Sequence, residues 1–346
     1  MSSRGQNMIL ARQQNDRRGK FAHLLPAIFP TVCVTSAPPG LVESAPFSIS
    51  FESHRALYYT DAMSARALRP KDLKLSATIY RPPGKGPFPA VIINHGSGGL
   101  RAHHFEYAKM LLKEGFAVAL FDGFCARGLT STVGKQESLS LVTSIADNYA
   151  LLSELTKLSF IDKKNVGAMG TSRGGSTLIL AADEKIRKRF AHGDLRFSAF
   201  AAVYPGCSTH LKTKSPSSTK VLIQLASEDQ YFPPDQCRKV YDEMKSAGFR
   251  LEKTEYKAPH GWDSGGKAAI LPKEYNFGSC NMVVDSTGIP VEMNSGIRIE
   301  NADSARKAYQ KCGRLGAAIG ADEAARRKSS SEVLMFFKRE LKTYSK

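Results

Sequence analysis

GAMGTSRGGSTLIL, residues 167–180, opens and closes on apolar residues with small ones packed between. Inside it, Gly170-Thr171-Ser172-Arg173-Gly174 fits G-x-S-x-G, with Ser172 where a strand-like run gives way to a helix-like one. Small residues two before and two after the serine permit a turn too tight for larger side chains. Such a turn strains the serine and lifts its hydroxyl clear of the backbone, as a nucleophile requires. A short pattern of this kind also arises by chance in a glycine-rich chain, so the flanking sequence has to decide.

Outward from that turn, short apolar runs alternate with helical ones. Strands are expected at KLSATIYRP, FPAVIINHG, GFAVALFDGF, NVGAMG, FSAFAAVYPG, KVLIQLASED and RLEKTEYKAPHG. Helices are expected at RAHHFEYAKMLLKEG, SLVTSIADNYALLSELTKL, GSTLILAADEKIRKRF, PDQCRKVYDEMKSAG and SSSEVLMFFKREL, the last opened by its serines as caps. Strands alternating with helices, with continuously apolar strand cores, predict an α/β fold. Its sheet is mostly parallel and covered on both faces, a three-layer α/β/α sandwich. Residues 265–328 break the rhythm and read as a loop-rich insertion folded over the sheet edge, with one helix in ADSARKAYQKC.

A serine hydroxyl is a poor nucleophile at neutral pH and needs a base, and the base needs an orienting acid. On a sheet of this type both should follow the serine, on loops at the C-terminal ends of strands. LASEDQYFPP places Asp229 after one apolar strand and KAPHGWD places His260 after the next. Glu228 and Asp235 compete with Asp229, although Asp235 after two prolines reads more easily as a helix start. No other histidine follows the acid, and His95 is expected to pack and hydrogen-bond at a turn.

NHGSGGL, residues 94–100, follows the FPAVIIN strand, and its glycines let backbone N–H groups face a ligand. The N–H groups of Ser97 and Arg173 are the candidate oxyanion donors, with Gly96 and Gly98 permitting close approach. Phe124, Arg127, Tyr204 and Tyr231 follow strand ends and are candidate substrate-binding residues; packing is the competing role for the aromatics. Arg127 fits either a substrate carboxylate or a structural ion pair.

With these residues in place, the chain from about Leu73 to Asp263 resembles the dienelactone hydrolase family of the α/β-hydrolase superfamily. FPAVIINHGSGGL, GFAVALFDGFCARG, VGAMGTSRGG, ASEDQYFP and APHGWD fall in the family's order. The resemblance implies hydrolysis of esters or lactones through an acyl-enzyme, with neither metal nor organic cofactor. It makes Ser172 the nucleophile, Asp229 the orienting acid and His260 the base. Founding members carry cysteine where this chain has Ser172, which matches the serine-bearing, esterase-like branch. Two rivals stay open: a serine peptidase or acyl-peptide hydrolase of the same fold, and a hydrolase-fold binding protein without activity.

Of the 346 residues, 42% are hydrophobic and 23% charged, as in ordinary globular proteins. The net charge of +17 is scattered, and no zinc-finger spacing, phosphate loop or aromatic-basic interleaving points to nucleic acid. The expected partner is a small ester or lactone. Arg17, Arg18 and Lys20 precede FAHLLPAIFPTVCV and then TSA, which reads as a signal peptide ending at Ala37, too short to span a bilayer; a disordered basic tail is the alternative. Residues 38–72 form an N-terminal extension with short strands, and 73–346 the hydrolase domain. Export agrees with the cysteines, for which Cys207–Cys237 and Cys280–Cys312 bridges are expected; free thiols in a cytoplasmic protein are the alternative. Cys33 would leave with the signal, and Cys125 is left unpaired.

Overall fold

The computed structural model describes residues 45–341. The proposed signal segment and Cys33 lie outside the described residues. In chain order the first half contains β1 (Phe47–Ser53), α1 (Tyr59–Met63), β2 (Leu73–Tyr80), β3 (Phe88–Asn94), α2 (Ala102–Lys113), β4 (Ala117–Phe121), α3 (Leu141–Leu155), β5 (Ile161–Thr171), α4 (Arg173–Ala181) and α5 (Glu184–Phe190). Then follow β6 (Ala199–Val203), β7 (Thr209–Leu211), β8 (Lys220–Ala226), α6 (Pro234–Ser246) and β9 (Arg250–Tyr256). The remainder contains β10 (Ala269–Asn276), β11 (Met282–Val284), β12 (Pro290–Glu292), β13 (Ile297–Arg298), α7 (Ala302–Cys312), β14 (Arg314–Ile319) and α8 (Glu323–Glu340).

Eight strands form the main sheet in the order β1-β2-β4-β3-β5-β6-β8-β9. Only β2 runs against its neighbours, and every pairing from β4 to β9 is parallel. Because side chains alternate along a strand, Val91 and Ile93 of β3 enter one core while Ala90 and Ile92 enter the other. Tyr107 and Leu111 of α2 and Val333 and Phe337 of α8 cover the first face. Ile145 and Leu152 of α3, Leu178 of α4 and Val240 of α6 cover the second. The layering is the expected α/β/α, and its closest approach explains a glycine: a Cβ on Gly167 would lie 2.9 Å from Phe337 Cε1.

Three expectations about elements are corrected. The helix read through GSTLILAADEKIRKRF is two helices, because Asp183 leaves the first and caps the second, accepting the N–H of Lys185 at 2.9 Å. The last helix starts well before its serines: Asp322 is its cap, accepting from Ala325 N at 2.8 Å. Ser329 is instead buried mid-helix, where its hydroxyl accepts from Trp262 Nε1 at 2.9 Å. The segment after residue 265 is more ordered than it reads. β10 pairs with β14, and β11, β12 and β13 form a meander whose β11 joins β7 in parallel. The meander strands, of two or three residues, are too short to show alternation, which hid them. This segment also packs against more than the sheet edge, since Ile299, Ala305 and Tyr309 wall a pocket beside the elbow.

Both expected disulfides form, Cys207–Cys237 and Cys280–Cys312. Cys125 is also disulfide-bonded, a correction to its expected unpaired state.

Candidate active site

The elbow follows from three glycines. A Cβ on Gly170 would lie 2.4 Å from the carbonyl carbon of Gly174, and one on Gly174 would lie 2.7 Å from the Asn94 oxygen. One on Gly96 would already touch Ser172 Cβ at 3.4 Å. Between them Ser172 adopts φ 51°, ψ −116°, at the junction of β5 and α4. Only Ser172 and Tyr204 combine a side chain with positive φ among the described residues. Strain of this kind persists only where the surroundings enforce it. Here the Ser172 N–H is tied to the Val203 oxygen at 2.9 Å.

His260 Nε2 lies 2.9 Å from Ser172 Oγ, and His260 Nδ1 lies 2.6 Å from Asp229 Oδ2. The other Asp229 oxygen accepts the N–H groups of Tyr231 at 2.8 Å and Phe232 at 2.7 Å, which fixes the carboxylate plane. All three side chains are buried. In this arrangement Nδ1 donates to Asp229 and leaves Nε2 free to accept the serine proton. Of the competing acids, Glu228 is exposed, and Asp235 sits in the first turn of α6 against Arg238.

Ser97 and Arg173, the latter next to the serine in sequence, both line the pocket, a cavity of about 110 Å³. The N–H of Arg173 opens α4, where no intrahelical acceptor exists. Among the described residues no acceptor takes the Ser97 N–H. Tyr58 and Tyr59 from the N-terminal side, Leu139 and Leu141 at the start of α3, and Tyr309 of α7 complete much of the wall.

Several expected substrate-binding residues stand elsewhere. Arg127 is locked to Asp147 by two contacts of 2.9 Å, both side chains almost fully buried. It also donates to the carbonyls of Arg55, His54 and Gly123, so it is a structural ion pair with no face toward the pocket. Phe124 is buried edge-on against His95, away from the cavity. His95 itself behaves as expected, bonding the Gly96 oxygen through Nδ1 at 2.8 Å and accepting the Gly123 N–H at 3.2 Å. Gly98 faces Arg101, and only Gly96 of the pair approaches the serine. Tyr204 and Tyr231 pack on the His260 ring with centroids 5.0 and 4.9 Å away, without lining the cavity.

Sequence reasoning missed a second layer. The hydroxyls of Tyr204 and Tyr107 (3.0 Å for Tyr107) both donate to buried Asp263, three residues past His260. Burial, with the Asp263 charge adding to it, pushes both phenols far above their ordinary range, so they remain donors. Gln136 contacts Ser97, Arg173, Tyr231 and Glu274. Burial, with a smaller push from the Arg127 charge, lowers the Arg173 guanidinium, and burial raises the Glu274 carboxyl. Asp263 was visible in HGWD; Gln136 lies in a polar loop and Glu274 in the irregular segment, where no pattern marks them.

The family model described as the dienelactone hydrolase family matches residues 75–276, a span that contains every one of these groups. The chain belongs to the dienelactone hydrolase family. Among curated proteins, it is 26% identical over 194 residues to the quorum-quenching protein AidA of Acinetobacter baumannii, covering 55% of this chain and 54% of that one. It is 30% identical over 121 residues to the uncharacterized protein YcjY of Escherichia coli, covering 33% of this chain and 39% of that one. The chain thus spans about half or less of the curated relatives it matches. Among solved structures it resembles P91, a dienelactone hydrolase-like promiscuous phosphotriesterase from metagenomic libraries. That match has TM-score 0.51 and 18% identity, over 86% of this chain and 99% of that chain. It supports the fold, the α/β-hydrolase sandwich common to the family.

Proposed function

We propose that this dienelactone hydrolase family member cleaves carboxylic esters or lactones through a covalent acyl-enzyme on Ser172. The observation that carries the proposal is the unbroken hydrogen-bonded line from Asp229 through His260 to Ser172, set at the elbow beside the cavity. Ser172 Oγ attacks the carbonyl carbon as His260 Nε2 takes its proton. The N–H groups of Ser97 and Arg173 stabilise the oxyanion. His260 then returns the proton to the departing alkoxide. Water, deprotonated by His260, attacks the acyl carbon and releases the acid, restoring the serine. Asp229 holds the tautomer and stabilises the imidazolium.

The cavity's size and largely apolar wall suit a small ester or lactone in place of a protein chain. Residues 73–346 form the hydrolase domain in this proposal, with 265–328 inserted into it. All five cysteines among the described residues are disulfide-bonded, which supports export to an oxidising compartment. No helix among the described residues is long and apolar enough to cross a membrane.

A fluorophosphonate probe followed by peptide mass mapping tests the proposal. Labelling at Ser172 together with turnover of p-nitrophenyl butyrate or a γ-lactone is the expected result. Labelling with turnover of acyl-peptides alone would favour the peptidase, and no labelling would favour the binding protein.

A further inference from the structure

One side chain touches both residues whose N–H groups are proposed above to hold the oxyanion. Gln136 lies in a short helical turn, Gln136–Ser138, between β4 and α3, and it lines the cavity. Its Nε2 lies 2.9 Å from Ser97 Oγ, 3.1 Å from the Tyr231 hydroxyl and 3.4 Å from Glu274 Oε1. Its Oε1 lies 3.1 Å from Ser97 Oγ and accepts from Arg173 Nη1 at 3.3 Å and Thr132 Oγ1 at 3.3 Å. Glu274, wholly buried, also accepts the Gly134 N–H, so β10 of the inserted segment is anchored to the same loop.

We propose that Gln136 is a positioning residue for the oxyanion pocket, fixing Ser97 against Arg173 and coupling both to Glu274. This rests on the ester-hydrolase proposal above. Ser97 stands in a turn flanked by glycines, where the backbone has the fewest steric limits. Its carbonyl is held by Thr132 N at 2.8 Å and Ser131 Oγ at 3.0 Å. The Gln136 amide adds the tie on the side chain. An oxyanion donor contributes only when it is in place before charge develops, so loosening this tie should cost transition-state stabilisation more than substrate binding. An amide is suited to the place because it donates to one neighbour and accepts from the other. A carboxylate there would face Glu274, and an alkyl group would leave Glu274 and Arg173 without this partner.

Steady-state kinetics with neutral p-nitrophenyl butyrate, and binding of phenylethylboronic acid, test the proposal. The boronic acid adds Ser172 Oγ to boron, passes the serine proton to His260 and places a hydroxyl at the oxyanion position. Gln136→Leu is expected to lower kcat about 10- to 100-fold, somewhat less than outright loss of an oxyanion donor. KM should stay within about 3-fold, and boronate affinity should weaken in parallel with kcat. The exchange Gln136→Glu with Glu274→Gln, which swaps donor and acceptor between the two side chains, should recover most of the loss that Gln136→Glu alone causes. Unchanged kcat and boronate affinity in Gln136→Leu would overturn the proposal, as would a change confined to KM. Should Gln136→Leu not fold, absence of recovery in the exchange would overturn it. A wild-type protein that hydrolyses no ester would count against the ester-hydrolase proposal instead, and the boronate comparison would still decide the role of Gln136.

Discussion

His260 Nε2 reaches Ser172 Oγ at 2.9 Å although 88 residues of chain separate them. The sheet closes that gap. β5, β6, β8 and β9 are parallel neighbours, so the turn after β5 and the loops after β8 and β9 emerge at one end. Serine, acid and histidine meet because each follows a strand of the same direction.

Replacing Asp229 by Asn keeps the hydrogen-bonding shape but favours the wrong histidine tautomer. We expect kcat to fall by about 10⁴-fold, with Ser172→Ala costing about 10⁶-fold. Stopped assays on p-nitrophenyl butyrate measure both. Folded variants with near-wild-type turnover would remove these residues from the mechanism.

Tyr204→Phe withdraws one of the two phenol donors from buried Asp263 and leaves the ring on His260 in place. A hydrogen bond to a charged group contributes about 1.5–3 kcal/mol, so urea unfolding should show a loss of that order. Because Asp263 lies on the histidine-bearing loop, kcat should decline while KM holds.

Arg127→Met breaks a buried pair and leaves Asp147 charged, with only the Ser53 hydroxyl at 2.5 Å as a close side-chain partner. Destabilisation of about 3–5 kcal/mol is expected in urea titrations. The preference between neutral and carboxylate-bearing esters should not move. A selective loss on the anionic ester would return Arg127 to substrate recognition.

Stability should fall on mild acidification. Burial holds His104 well below its ordinary value of 6.5, and burial likewise lowers His95 and His103. A depressed folded value means that the unfolded chain takes up protons first. The stabilisation is therefore complete above pH 6.5 and is lost as the pH falls from there toward the folded values. Each histidine contributes a slope of up to about 1.4 kcal/mol per pH unit. Urea midpoints at pH 8, 6.5 and 5 should decrease in that order, and His104→Gln should flatten the dependence.

Cys280 and Cys312 join the start of the β11 meander to the end of α7, whose Tyr309 walls the cavity. Their double replacement by Ser opens a loop of 32 residues and should cost about 3–4 kcal/mol in the chain-entropy account. We expect a lower melting temperature and a higher KM, with kcat less affected because the elbow lies outside the loop.

The sandwich, the elbow and the order of serine, acid and histidine are legible in the chain because each rests on a local rule. Apolar runs mark strands, glycines mark turns that forbid a Cβ, and the sequence of loops follows from parallel strands. Asp183 and Asp322 mark where local reading gives way: Asp183 interrupts an apolar pattern that runs on past it, Asp322 opens a polar first stretch that the apolar pattern does not reach, and each cap decided the helix boundary.

Partnership was decided only in three dimensions. Arg127 looks the same in sequence whether it meets a substrate carboxylate or Asp147, and the packing of β1 and α3 around it chose Asp147. Gln136 and Glu274 carry no periodic or spacing signal, yet folding brings them together beside Ser97 and Arg173. Backbone patterns are set by neighbours along the chain, so sequence determined the scaffold and the tight turn that carries Ser172. Which polar side chains satisfy one another away from water depends on segments that local patterns do not connect, 20 residues apart for Arg127 and Asp147 and 138 for Gln136 and Glu274, and tertiary packing alone settled that.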